Sequence, residues 1–139
     1  SLTALAQAGS TAAQALERLN ALESAGDYDL ALLCLGQNDD AAALAASYEA
    51  LLQGLRQKYA KCSVICILPA ALGQEKAQVI AGLAQRYHAQ VVDMAAASTP
   101  EALAPDGVHP SAAGHALYRQ AVLDEIARNV AQRTPYIAE

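Results

Sequence analysis

Neither phenylalanine nor tryptophan occurs in the 139 residues, and six tyrosines are the whole aromatic content. The core must therefore be filled by Ala, Leu, Val and Ile, which favours tight helix packing. Blocks of like charge are also missing. Charged residues make up 17% of the chain and the formal net charge is only −5, so no phosphate-neutralising surface is present and nucleic acid is not an expected partner. No apolar run approaches the roughly 18 to 20 residues that cross a bilayer, and no charged-then-apolar signal segment opens the chain, so a soluble protein without a membrane span is expected. Cysteine is scarce: Cys34, Cys62 and Cys66 sit in or beside apolar runs and are expected to behave as small buried hydrophobes. Cys62 and Cys66, four apart on one expected strand at about 3.3 Å per residue, are too distant for a disulfide. An odd cysteine count without neighbouring His argues against zinc, and free thiols point to a reducing compartment.

What is present is an alternation. Apolar residues make up 54% of the sequence, ample for one core in a chain of this length. Residues 1–6 form a short apolar opening of strand type, punctuated by Gly9-Ser10-Thr11. Thr11 or Ser10 can cap a helix from Ala12 to about Ser24, with Leu16, Leu19 and Leu22 along one face. Residues 28–35 are a near-continuous apolar run, as expected of a parallel strand covered on both faces. The run stops at Gly36-Gln37-Asn38-Asp39, where Asp39 or Asp40 can cap a helix reaching about Tyr59. A second buried strand covers 63–68, a helix about 74–87, and a short strand 90–94. A polar loop leads to Pro110, and a last helix covers about 111–130, with Leu117, Val122, Ile126 and Val130 facing inward. Such alternation implies right-handed crossovers and a three-layer α/β/α fold around a parallel sheet. A single domain over 1–131 is expected, followed by a tail over 132–139.

In a sheet of this kind ligands bind beyond the carboxyl ends of the strands. Three polar segments arrive there: Gly9-Ser10-Thr11, Gly36-Gln37-Asn38-Asp39, and the loop with Asp106-Gly107-Val108-His109-Pro110. An Asp three residues before a His can fix the imidazole tautomer and stabilise the imidazolium, the base half of a nucleophilic hydrolase. The bland reading is that Asp106-Gly107 makes a turn and that His109 merely precedes a helix capped by Ser111. A Gly at a strand end lets backbone approach a ligand closely, and an Asn amide there can donate to a developing oxyanion. Asp39 reads more naturally as a cap or loop brace than as a catalytic acid, although it neighbours the site. His88 and His115 are expected on helix ends or faces, Arg56, Lys58 and Lys61 as ordinary surface charges, and Asp93 at a strand end as a minor candidate.

Taken together these segments resemble the SGNH (GDSL-type) hydrolases. Residues 4–11 resemble that family's second block, Gly36-Gln37-Asn38-Asp39 its G-x-N-D block, and Asp106-Gly107-Val108-His109-Pro110 its D-G-x-H-P block. The resemblance implies a flavodoxin-like α/β/α fold with no metal or cofactor, His109 as base and Asp106 as its orienter. It also implies Gly9 and Asn38 as oxyanion donors, and an ester on a small molecule or carbohydrate as substrate. One departure stands out: the family's first block, a strand ending in G-D-S with the nucleophile, has no counterpart in the 139 residues. Ser1-Leu2-Thr3 resembles the end of such a block, but the eight residues from Ser1 to Gly9 are needed for the strand leading into Gly9. Loss of that first strand would bare two apolar edges. Three explanations remain open: a longer or cleaved protein, a partner segment or chain that supplies the strand and its Ser, or an altered strand order. A serine esterase is therefore expected, with a non-catalytic binding or scaffolding domain of the same fold as the alternative. A weaker third reading is an anion-binding turn at Gly9-Ser10-Thr11, which lacks a phosphate-loop Lys.

Overall fold

The structure, a computed structural model, describes residues 10–22, 28–94, 101, 104–105 and 111–132, with side chains as far as 128. Residues 1–6, read above as a strand, lie outside them. In chain order the described elements are α1 (Ala12–Ala21), β1 (Leu30–Cys34), α2 (Ala41–Lys58), β2 (Ser63–Leu68), α3 (Gln74–Arg86), β3 (Gln90–Asp93) and α4 (Ala112–Gln132). The strands pair in parallel in the order β1-β2-β3, with Leu32 beside Ile65 and Ile67 beside Val92. Helices follow strands as the alternation predicts, and the architecture is three-layer α/β/α. No helix among the described residues is long and apolar enough to cross a membrane.

β2 shows why its sequence is an unbroken apolar run. Val64, Cys66 and Leu68 point into the larger core with α1, α2 and α3, while Ile65 and Ile67 point into a second cluster beneath α4. A strand buried on both faces has no use for alternating polarity. The larger core is mostly aliphatic, with Leu19, Leu44, Leu52 and Ile80 fully buried alongside Tyr48. On the second face α4 lays Leu117, Tyr118, Ala121, Val122 and Ile126 against Ile65, Ile67, Val92 and Met94. Glu125 fixes the helix further by accepting from Gln90 Nε2 at 2.7 Å and pairing with Arg128.

β1 departs from the expectation of a strand covered on both faces. Leu33 is buried, but Leu32 is 45% exposed and Cys34 is exposed too. The register places these two on the face of Ile65 and Ile67, and α4 lies over β2 and β3 rather than over β1. Cys62 and Cys66 are buried as expected, and burial pushes the Cys66 thiol up to about 11, leaving it an inert, protonated apolar group. Tyr48 is buried beside it, and its hydroxyl meets that thiol and has no nitrogen or oxygen hydrogen-bond partner among the described residues.

Two of the supposed surface cations are structural. Arg56 is 7% exposed, and its guanidinium donates to the carbonyls of Tyr87 and His88, each at 3.1 Å, and to that of Cys62. It thereby joins the end of α3 to the start of β2. Lys58 donates to Leu19 O at 2.7 Å and to Leu22 O, holding the carboxyl end of α1 where Leu19 O also accepts from the Leu22 N–H. His88 is exposed as expected, in a left-handed conformation (φ 55°) just beyond α3. Ala89 N–H donates back to Ala84 O at 2.8 Å in the Schellman pattern.

These observations generate two stability predictions. Arg56→Ala removes three hydrogen bonds from a buried charged donor and should cost about 3 kcal/mol, lowering the thermal midpoint by about 10 °C. A shift of under about 3 °C would show that water replaces the guanidinium. Tyr48→Phe discards a hydroxyl without an adequate partner and should change stability by less than about 0.5 kcal/mol in either direction. A loss above about 2 kcal/mol in denaturant unfolding would contradict that reading of the core.

Candidate active site

The site is built on the strand-to-helix connection after β1. Gly36 has φ 108°, a conformation that side chains disfavour, and a Cβ there would lie 3.0 Å from Ile80 Cδ1 and 3.1 Å from Leu72 Cδ1. The backbone conformation therefore favours glycine, and a larger residue would also press on the δ-methyls of Ile80 and Leu72. The chain then reverses in a turn closed by Asp39 N–H donating to Gly36 O at 3.2 Å. Gln37 and Asn38 form its tip. Asn38 is exposed, and its side chain bonds to no described residue, while Asp39 is buried at 7% exposure. Asp40 caps α2 by accepting from Ala42 N–H at 3.3 Å.

Asp39 turns away from the tip and toward α1. Its carboxylate accepts from Ala12 N–H at 3.0 Å through Oδ1 and 3.2 Å through Oδ2. Ala12 is the first residue of α1, so the carboxylate satisfies a donor without a helical partner and meets the positive end of the helix dipole. The brace reading of Asp39 thus matches its geometry. At the same helix end Thr11 forms a capping box with Gln14, and Ser10, 5% exposed, accepts from Arg18 Nη1 at 2.6 Å. Ser10 is therefore held in place by Arg18 and is not the cap.

From the other side the turn is gripped by Lys76 on α3. Its Nζ donates to Asp39 O at 2.6 Å and Gly36 O at 2.9 Å, with Gln37 O a looser contact at 3.5 Å. Lys76 stands in the first turn of its helix, where a cation opposes the helix dipole. In the sequence this shows only as a basic residue in the first turn of a helix, which does not name its partners.

The two loops bearing Ser10-Thr11 and Asn38-Asp39 are thus brought into direct contact at the carboxyl edge of the sheet. Gly9, Asp106 and His109, expected at the same edge, lie outside the described residues. The helix that follows His109 does return there. Ser111 caps α4, its Oγ accepting from Gly114 N–H at 3.1 Å and donating to Glu101 O at 2.6 Å. Two turns beyond that cap, Tyr118 Oη accepts from Ala70 N–H at 2.9 Å, just past the end of β2. His115 is exposed on the same helix and Asp93 is exposed at the end of β3.

Comparison with known proteins agrees with this architecture. No curated protein sequence matches the chain. Among solved structures, a carbohydrate esterase family 3 protein from Talaromyces cellulolyticus superposes with a TM-score of 0.70 at 20% identity, covering 89% of this chain and 70% of its own. An acetyl esterase variant with acetate ion superposes with a TM-score of 0.71 at 20% identity, covering 91% of this chain and 70% of its own. A variant of an acetyl-xylooligosaccharide esterase from Geobacillus stearmophilus gives 0.66 at 22% identity, covering 85% and 68%. These likenesses establish the fold. The sequence profile of the GDSL-like lipase/acylhydrolase family matches residues 1–117, most of the chain, and the protein therefore belongs to that family.

Proposed function

We propose that this protein is a serine esterase domain that cleaves an O-acyl group from a small molecule or carbohydrate. What supports the reading most is the Gly36–Asp39 turn. An exposed Asn amide stands at the carboxyl end of a parallel strand, on a backbone fixed from two sides, in a chain whose family is the acylhydrolases. The similar solved structures named as carbohydrate and acetyl esterases make a short acyl group on a sugar the first substrate to try.

In this mechanism His109 removes the proton from a serine hydroxyl, and the serine oxygen bonds to the ester carbonyl carbon. Asp106 holds the imidazole in the tautomer that accepts that proton. The carbonyl oxygen becomes an oxyanion between Gly9 N–H and the Asn38 amide, where fixed donors stabilise charge that water would have to reorganise around. Collapse breaks the bond to the alcohol, which leaves with the proton from His109. Water then repeats the sequence on the acyl-enzyme and releases the acid. The mechanism calls for a nucleophilic serine of the G-D-S type, a motif that these 139 residues do not contain. Asp39 serves as the brace of the turn.

The test is turnover of p-nitrophenyl acetate by the full gene-encoded protein and its variants. His109→Ala should lower kcat by about 10³-fold or more, as loss of a general base does. Asn38→Ala should lower kcat by about 10²- to 10³-fold with KM little changed, because its donor acts on charge that exists only in the transition state. Background turnover by wild type and variants alike would refute the esterase and leave a binding domain of the same fold.

A further inference from the structure

We propose that Lys76 is a positioning residue for ester hydrolysis, holding the turn that presents Asn38 to the oxyanion. The inference rests on the role given to Asn38 above. The Gly36–Asp39 turn departs from β1 in a left-handed conformation and has a single backbone bond of its own, from Asp39 N–H to Gly36 O. A turn of that kind at a sheet edge opens easily. The Lys76 ammonium closes it from outside by donating to Gly36 O and Asp39 O together, the two residues that bracket Gln37 and Asn38. One cation thus spans the base of the turn, touches the tip only loosely at Gln37 O, and leaves the Asn38 side chain clear.

The placement is costly unless it serves that purpose. Lys76 is half-buried in the first turn of α3, against the positive end of the helix dipole, so three carbonyl contacts must offset both effects. Asp39 fixes the same turn to α1 through its side chain while Lys76 holds its backbone. The two grips act at different atoms of one residue and leave the Asn38 amide the exposed group between them. An oxyanion donor must already be in place when charge develops, and a displacement of about 1 Å can cost about 10²-fold in rate.

The experiment is a double-mutant cycle on the full gene-encoded protein with p-nitrophenyl acetate. Lys76→Met should lower kcat by about 10- to 100-fold and leave KM within about threefold, because the loss falls on the transition state. In an Asn38→Ala background the same substitution should have almost no further effect, since the group it positions is gone. Amide hydrogen exchange at Asp39 should quicken by about tenfold in Lys76→Met. Should the methionine variant not fold, Lys76→Gln, which keeps a donor without the charge, carries the same cycle. Wild-type activity with an unimpaired Lys76→Met would overturn the inference and leave the esterase standing. Equal losses with and without Asn38 would overturn it as well, marking Lys76 as merely stabilising. Background turnover by the wild type would instead overturn the esterase reading itself.

Discussion

The turn from Gly36 to Asp39 is where this fold is tied together, and what ties it is charge placed on backbone. Asp39 takes the first N–H of α1, and Lys76 takes the carbonyls at both ends of the turn. One four-residue segment therefore fixes α1 and α3 to the end of β1, and α2 begins immediately beyond it at its Asp40 cap. Neither contact is an exposed ion pair, the type that contributes little. Each satisfies a backbone group that would otherwise lose water on burial, which makes it expensive to remove.

The same device recurs at the opposite end of the sheet. Arg56 gathers carbonyls from the turn after α3 and from the residue before β2, and Lys58 takes the last carbonyls of α1. A core without Phe or Trp is filled by short aliphatic chains that pack closely but reach little distance. Long cationic side chains span the gaps between elements, with their aliphatic stems against the core and their charged ends on carbonyls. Composition and architecture are linked here: few aromatics, and a small set of charges spent on chain ends.

Much of this was legible in sequence. The apolar run of β2 predicted a buried strand, the Leu spacing in α1 put Leu19 in the core with Leu16 and Leu22 packed against it, and Gly36 announced the turn it makes. The family followed from short blocks in the right order. The roles of Arg56, Lys58 and Lys76 were not legible, because their partners lie 31 to 40 residues away for all but Cys62, and no local pattern encodes a carbonyl across the fold. The exposure of Leu32 and Cys34 was missed for a related reason. An apolar run says that a strand can be covered, whereas the placement of α4 over β2 and β3 decides how far the cover extends. Asp106 and His109 were read first as a carboxylate three residues before an imidazole and then, with Gly9, from the family blocks, and their assignment stands as the proposal above.

The account predicts a nucleophilic serine whose reactivity depends on His109. Labelling the full gene-encoded protein with a fluorophosphonate, followed by intact-mass and peptide mass spectrometry, tests that claim most directly. The predicted result is one phosphonyl group per chain on a serine in a G-D-S sequence, absent from His109→Ala. No adduct on the wild type, or an adduct that forms equally well without His109, would contradict it.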